Sequence, residues 1–281
     1  MNAYAQSGLN EPKYIIITIL KRGYHWSSNR FKVMAGHSKW ANIQHRKNAQ
    51  DAKRGGLFTR LIREVTIAAR SGPDPAANSR LRLAIDKALK ANLTKDAIER
   101  AVKRGSGTGD SGSNIEEIRY EGYGPGGVAF MVDCMTDNRN RTASEVRHTF
   151  SKYGGNLGSD GSVSYLFERM GVIVYATPAD DEKTMEFAID AGAEDVVVNE
   201  DGAIEIITTP ESFADVFSNL QRDLTADPIF AEVVERPTIY VKPSDEGLDT
   251  LEKMLDKLEG LDDVQSVHHN ADLPELQENS G

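Results

Sequence analysis

The sequence predicts an α+β protein: a small N-terminal helical domain followed by two ferredoxin-like α/β sandwich domains, the second inserted in the first. Two observations support this fold class. Apolar residues recur with the helical period of 3.6 up to Gly105, and from Ile115 onward they recur with the period of two that is typical of strands. Within residues 169–236 the predicted elements follow the order βαββαβ, which is a complete split βαβ unit.

Four helices are predicted for the helical domain, residues 34–105. The first, residues 34–56, is basic and poor in core residues. The other three carry apolar stripes at helical spacing, so they can bury one another. The stripes consist of Leu57, Leu61, Ile62, Val65, Ala68 and Ala69 in the second helix, Leu81, Ala84, Ile85, Ala88 and Leu89 in the third, and Ala97, Ile98, Ala101 and Val102 in the fourth.

The helix ends are predicted from capping residues. Asp74, followed by Pro75, is the expected N-cap of the third helix, and Thr94 is the expected N-cap of the fourth. Gly105 is expected to supply the C-terminal turn of the fourth helix. Residues 106–114 are too polar and too rich in glycine to pack, so they are predicted to be a flexible linker between domains.

The first α+β domain is predicted from residues 115–168 together with residues 237–272. Its expected elements are strands 115–123, 127–135 and 162–167, helix 141–153, and then strand 238–241, helix 244–258 and strand 264–269. Strand 238–241, helix 244–258 and strand 264–269 can complete the sheet of this first domain only if residues 169–236 are inserted in it. That second domain is predicted from strands 171–176, 195–199, 203–208 and 230–235 and helices 182–191 and 211–224.

The two ends of the chain are predicted to lie outside these domains. Residues 1–33 are expected to be an upstream extension without a fold of its own, and Met34 is the expected initiator. Residues 273–281 are expected to be a polar, frayed tail.

Charge is distributed unevenly along the chain, whose net charge is −10. Residues 34–105 contain 16 Lys and Arg against 6 Asp and Glu, whereas residues 106–281 contain 12 against 36. Residues 169–236 contain 4 Lys and Arg against 16 Asp and Glu. This asymmetry indicates an anion-binding N-terminal module carried on an acidic body, so a polyanion should contact the N-terminal side only.

Composition disfavours several function classes. No apolar run reaches the ~18 to 20 residues of a membrane helix, so no membrane partner is expected. The single cysteine, Cys134, excludes an intramolecular disulfide framework, fits a reducing cytoplasmic compartment, and is expected to be a buried apolar residue. We find no catalytic constellation and no cofactor motif, and we predict no metal site, because His268, His269 and Asp272 are only a weak candidate. The sequence therefore predicts a protein that is not an enzyme.

The first candidate site is the cationic face of the predicted helix 34–56. A solvated charged helix, with Trp40 as a core anchor, is the alternative interpretation. A solvated helix normally mixes charge signs to gain i,i+4 pairs, whereas this helix has one acid, Asp51, so the pattern favours a polyanionic partner. The nucleic-acid-binding residues predicted in the helical domain are Lys39, Trp40, Asn42, Arg46, Lys47, Lys53, Arg54, Arg60 and Arg63.

The second candidate site is the start of the predicted helix 141–153. Arg139, Arg141 and Arg147 are the nucleic-acid-binding residues predicted here. Two arginines at a helix N-terminus are poorly placed for the helix dipole, which favours an external anion such as a phosphate. The alternative is an ordinary helix start, with Asn and Asp caps and solvated arginines.

The segment that follows Met34, GHSKWANIQHRKNAQDAKRGGLFTRLIREV, resembles the opening of the YebC family of bacterial proteins, whose mitochondrial relatives are translational activators. Further similarity occurs at residues 138–147 and 154–167 and extends over residues 34–272. The resemblance implies a three-domain cytoplasmic protein in which one α+β domain is inserted in the other. It also implies a transcriptional regulator that binds DNA, in a family that is linked to translation on the ribosome as well.

Two functions follow as hypotheses. One is a regulator that binds duplex DNA, and the other is a translation factor that binds ribosomal or transfer RNA on the ribosome. Both use phosphate contacts, which supply affinity but no sequence information. The sequence shows no heptad or self-complementary dimer signal that would predict paired half-sites, so it predicts neither the oligomeric state nor a target sequence.

Overall fold

The computed structural model describes residues 54–108, 115–176, 181–199 and 202–273, all within one compact unit, Ala35–Gly281. The predicted site residues Lys39, Trp40, Asn42, Arg46, Lys47 and Lys53 lie outside the described residues. The helices are α1 (Arg54–Ala68), α2 (Ser79–Lys90), α3 (Lys95–Gly105), α4 (Arg139–Lys152), α5 (Asp181–Ala191), α6 (Phe213–Asp223) and α7 (Asp245–Glu259). The strands are β1 (Glu116–Tyr123), β2 (Ala129–Thr136), β3 (Asn156–Leu157), β4 (Phe167–Tyr175), β5 (Asp195–Val198), β6 (Ile204–Thr208), β7 (Phe230–Pro237) and β8 (Val264–His269).

Helices α1, α2 and α3 form a helical module with its own core. The buried residues of this core include Leu61, Val65, Leu81, Ala84 and Ile98, which belong to the predicted stripes. Apolar side chains at spacings of three and four residues lie on one face of each helix, so three amphipathic helices can exclude water from one another. The periodic part of the prediction is therefore confirmed for these helices, except at Leu89, which was predicted to be buried and is 40% exposed.

The predicted N-cap of α2 is wrong. Asp74 Oδ1 accepts a hydrogen bond from Ala76 N at 2.9 Å in a preceding turn. The N-cap is Asn78, whose Oδ1 accepts from Leu81 N at 3.0 Å, while its amide donates to the carbonyls of Ala68 and Gly72. Asn78 is favoured over Asp74 as the N-cap because its side chain both caps α2 and hydrogen-bonds to the carbonyl at the end of α1. The N-cap of α3 is the predicted Thr94, whose hydroxyl accepts from Ala97 N at 3.3 Å.

Gly105 does not supply the C-terminal turn that was predicted for it. It is the last residue of α3, and the residue with positive φ, +75°, is Gly107. An ideal Cβ on Gly105 would lie 2.0 Å from the Thr66 carbonyl oxygen. Glycine is required at this position because the backbones of α1 and α3 approach each other here.

We expect Gly105→Ala to destabilise the protein by about 1–3 kcal/mol, because the added methyl group overlaps a backbone atom and α3 must move. Urea unfolding followed by circular dichroism measures the change. Gly56→Ala is the matched control: its Cβ would meet Arg60 only at 3.8 Å, so the substitution should stabilise α1 by about 0.5–1 kcal/mol. Equal stability of the Gly105→Ala variant and the original protein would contradict the close approach.

Two antiparallel sheets make up the rest of the fold. Sheet A has the strand order β3-β1-β2-β8, and sheet B has the order β5-β6-β4-β7. Strand β8 returns to pair with β2 after the chain has built all of sheet B, as an inserted unit requires. Helices α4 and α7 pack on sheet A around Phe130, Phe150 and Met254, and helices α5 and α6 pack on sheet B around Ile173 and Leu220. The predicted α+β fold class is confirmed.

The predicted strand 162–167 is wrong. Ser164–Leu166 is a 3-10 turn, and β4 begins at Phe167 and continues unbroken to Tyr175 in sheet B. The reason is the buried carboxylate of Glu121, which accepts hydrogen bonds from the backbone N–H groups of Gly161, Val163 and Ser164 at 3.0, 2.8 and 2.9 Å. Because these three N–H groups donate to Glu121, they cannot also form the hydrogen bonds between strands of a sheet.

The predicted strand 238–241 is also wrong. The structure has a single parallel bridge there, between Val241 and Ala271.

Candidate nucleic-acid interface

Six of the twelve predicted nucleic-acid-binding residues lie in the described part of the chain. Arg54 begins α1, and Arg60 and Arg63 follow in the same helix. Arg139, Arg141 and Arg147 belong to α4, which covers sheet A. The structure thus distributes the predicted residues over the helical module and the sheet A unit.

Arg60 and Arg63 face the turn between α7 and β8. Arg60 is only 7% exposed, and its Nη1 donates to the carbonyl oxygen of Glu259 at 3.3 Å. Burial lowers the pKa of Arg60, against the opposing attraction of Glu259 and Asp262. Arg63 Nη2 lies 3.0 Å from Asp263 Oδ1, and its Nη1 donates to the carbonyl of Asp262. Both arginines therefore fasten the helical module to the sheet A unit.

Arg141 meets the same carboxylate as Arg63. Asp263, whose side chain is 2% exposed, accepts from Arg141 Nη2 at 2.8 Å, from Thr142 Oγ1 at 2.7 Å and from Thr136 Oγ1 at 3.0 Å. Burial opposes the ionisation of Asp263, but the hydrogen bonds from Arg141, Thr142 and Thr136 outweigh it and hold its pKa below the usual range. Asp263 thus joins the end of β2, the start of α4 and helix α1.

A shallow cleft of about 450 Å³ surrounds this carboxylate. The cleft is lined by Arg63, Asp137, Arg141, Glu145, Gly260, Leu261, Asp262 and Asp263. Four of these side chains are acidic and two are basic, and the two arginines already contact Asp263. A phosphate in the cleft would meet a net negative field, so the cleft is poorly suited to nucleic acid.

Arg139, Arg141 and Arg147 are all exposed, but unlike Arg141, neither Arg139 nor Arg147 makes a side-chain ion pair within the described residues. Helix α4 buries Val146 and Phe150, as predicted, which turns Arg147 and the neighbouring His148 towards solvent. Asn138 caps the helix by accepting from Arg141 N at 3.1 Å. The exposed side of α4 is the part of the second candidate site that is open to an anion.

The two histidines of the weak metal candidate have protein partners. His268 Nε2 lies 3.3 Å from Asp133 Oδ2, and His269 Nδ1 accepts from Ala271 N at 3.2 Å. In the ranges that the structure describes, no group of three or more His, Cys, Asp or Glu side chains is arranged to hold a metal ion. Cys134 is buried in β2, and burial raises the pKa of its thiol.

No helix in the described part of the chain is both long and apolar enough to cross a membrane.

The fold defines the class of protein: a helical module joined to two antiparallel α/β units, of which one is completed only after the chain has built the other. Comparison with known proteins identifies the family. The chain belongs to the TACO1/YebC family, since the model of its N-terminal domain matches residues 38–108 and the model of its second and third domains matches residues 115–271. This establishes the resemblance that the sequence motifs indicated.

Curated relatives carry a regulatory name. A probable transcriptional regulatory protein of Methylococcus capsulatus is 60% identical over 244 residues, which cover 86% of this chain and 97% of the relative. One of Pseudomonas putida is 56% identical over 252 residues, covering 88% of this chain and 100% of the relative. These names support a regulatory role.

A solved structure confirms the fold. The crystal structure of a conserved hypothetical protein from Aquifex aeolicus is similar to this chain with a TM-score of 0.70 and 48% identity, and the match covers 81% of this chain and 95% of that one.

The residue that sequence reasoning missed is Asp263. It lies 122 residues from Arg141 in the chain, and nothing local separates it from the other acidic residues of residues 106–281. The one usable signal was its position immediately before the predicted strand 264–269, where a turn brings it to the end of sheet A.

Proposed function

We propose that this chain is a cytoplasmic nucleic-acid-binding regulatory protein that contacts the phosphate backbone of duplex DNA through its basic N-terminal module. The observation that carries the proposal is the partition of charge, 16 basic against 6 acidic residues in residues 34–105 and 12 against 36 thereafter. The basic module attracts a polyanion, and the acidic body repels it except at the exposed cations of α4. The relatives' transcriptional names favour DNA as that polyanion.

The proposed contact residues fall into two groups. Arg54 at the start of α1, Arg139 and Arg147 of α4, and six residues before α1 are proposed to contact phosphates directly; the six are Lys39, Trp40, Asn42, Arg46, Lys47 and Lys53. Arg60, Arg63 and Arg141 bond to acceptors within the chain. We propose that these three arginines position the helical module and add to its positive potential. The proposal involves no chemical reaction and no cofactor.

The second candidate is a translation factor that binds ribosomal or transfer RNA on the ribosome. The observation that favours it is the location of exposed cations on two separate units, the helical module and helix α4 of the sheet A unit. A folded RNA presents phosphates on several differently oriented segments, whereas a straight duplex presents them on two strands around a single axis. The two candidates share the same protein residues and differ in the partner.

Binding titrations at several salt concentrations test the shared part of the proposal. With about four to six phosphates engaged, the logarithm of the binding constant should fall with the logarithm of the salt concentration with a slope of roughly −3 to −5. A random-sequence duplex DNA is the first probe. A flat salt response with every nucleic acid tried would contradict phosphate binding.

Sedimentation of a cell lysate distinguishes the two partners. A DNA regulator should bind the duplex and remain in the supernatant when ribosomes are pelleted. Co-sedimentation with ribosomes that is reversed by high salt, together with feeble duplex binding, would favour the translation factor and reject the DNA regulator.

A further inference from the structure

Helix α3 presents a cationic face that neither candidate site includes. Lys95, Arg100, Lys103 and Arg104 are exposed, and within the described residues none of the four side chains makes an ion pair or a hydrogen bond. Other cations of the helical module differ. Arg80 pairs with Glu117 of β1, and Lys87 Nζ lies 3.2 Å from Glu232 Oε1 of β7.

The four cations lie within one half of the helix circumference. At about 100° per residue, they are opposite Ile98 and Ala101, which are buried in the core of the module. From the first to the last cation the helix rises roughly 14 Å. Two acids, Asp96 and Glu99, lie on the same half, but no acid follows Glu99 in the helix. The C-terminal half of the face, with Arg100, Lys103 and Arg104, is therefore purely positive.

Capping of the helix end does not account for these cations. The carbonyl of Val102 accepts from Ser106 N at 2.9 Å, and the carbonyl of Lys103 accepts from Thr108 N at 3.1 Å and from the Ser106 hydroxyl at 3.2 Å. Because backbone and hydroxyl donors satisfy these carbonyls, the side chains of Lys103 and Arg104 are not needed as caps. Arg100 lies more than one turn before the end, where the dipole has little effect.

The face is also held in a fixed position. The close approach of Gly105 to the Thr66 carbonyl sets the distance between α3 and α1, and the core of the module sets their orientation. A surface that is already ordered loses little conformational entropy when it binds. The cations of α3 are thus arranged for binding before a partner arrives.

We propose that the outward face of α3 is a further phosphate-binding surface, which contacts the backbone of the nucleic acid through Arg100, Lys103 and Arg104. This inference rests on the proposed function and extends it to residues outside the two candidate sites. The ligand chemistry is a row of phosphates, which duplex DNA and ribosomal RNA both supply.

The triple variant Arg100→Gln, Lys103→Gln, Arg104→Gln tests the inference. At about 100 mM salt we expect it to bind at least ~10-fold more weakly than the original protein, with a salt dependence that is shallower by about 2 to 3 in slope. A random 20-base-pair duplex and purified ribosomes are the two probes, and the probe that responds identifies the source of the phosphates. The matched control is Arg222→Gln, Lys253→Gln, Lys257→Gln, which removes the same charge from exposed positions outside the helical module.

A second variant keeps the test decisive if the triple variant does not fold. Glu99→Gln removes the acid at the centre of the α3 face, so it should tighten binding and leave the thermal melt unchanged. If the original protein binds and neither α3 variant changes its affinity or salt slope, the inference is overturned while the proposed function stands. Equal weakening by the α3 triple variant and its control would also overturn it, because net charge alone would then explain the effect. If the original protein binds neither probe, the proposed function itself fails.

Discussion

Replacing Lys39, Arg46, Lys47 and Lys53 together by glutamate is expected to abolish nucleic-acid binding. The four substitutions lower the charge of residues 34–105 from 16 basic against 6 acidic residues to 12 against 10. Each lost phosphate contact removes about 0.9 from the slope of log affinity against log salt, and each new carboxylate repels a phosphate. We expect affinity for the preferred probe to fall by more than ~100-fold at about 100 mM salt. Fluorescence anisotropy with a labelled duplex or RNA measures the loss.

The control for this charge reversal uses four exposed cations of the acidic body. Arg222, Lys242, Lys253 and Lys257, all changed to glutamate, alter the net charge by the same amount. We expect this control to weaken binding only slightly, through long-range repulsion that salt screens. Full affinity of the N-terminal variant, or an equal loss in the control, would show that the residues before α1 do not contact the ligand. Far-ultraviolet circular dichroism verifies that both variants are folded.

The internal ion pairs limit which cations of the helical module can contact a partner. Arg63, Arg80 and Lys87 each face a carboxylate of the sheet units. The acidic body therefore neutralises the side of the module that faces it. The cations of α3 are not neutralised in this way, since they lie on the exposed side of the helix, opposite its buried residues Ile98 and Ala101. The internal pairing orients the module and leaves one of its faces positive.

Periodic features of the fold were predictable from the sequence because they depend on local spacing. The stripes of α1, α2 and α3, the alternation of Ile118 and Tyr120 with charged residues in β1, and the apolar run of β2 are visible within windows of about ten residues. Asn78 and Asp74 are both good N-caps, and the choice between them depends on a tertiary contact, the hydrogen bond from Asn78 to the Ala68 carbonyl.

Features that depend on distant residues were not predictable. A strand was wrongly predicted at residues 162–167 because the carboxylate of Glu121, about 40 residues earlier in the chain, accepts hydrogen bonds from backbone N–H groups of residues 161–164. For the candidate site the same limit applies. An exposed and a paired arginine have identical local sequence signals, so Arg63 and Arg139 looked alike before the position of Asp263 was known.

Removing the charge of Asp263 is expected to have the largest effect on stability. Asp263→Asn keeps the size of the side chain but leaves Arg63, which is 16% exposed, without its anion. Removing one partner of a buried ion pair costs about 3–5 kcal/mol, and we expect about 3 kcal/mol here because Arg141 keeps its contact with Asp137 and with solvent. Urea unfolding at pH 7 measures the loss. Asp262→Asn is the matched control, since that neighbouring side chain is exposed and Arg63 contacts only its backbone carbonyl.

The pH dependence of the same variant provides an independent test. The pKa of Asp263 is lower in the folded protein than in the unfolded chain, so its contribution is fully present above the unfolded value of about 4 and is lost as pH falls through the folded value. The stability difference between the original protein and Asp263→Asn should therefore be constant from pH 7 to about pH 5 and shrink on further acidification. A difference that stays the same at pH 3, or grows, would show that the carboxylate is not held ionised by Arg141 and the two threonines. Asp263 would then not be the group that fastens α1 and α4 to the end of sheet A.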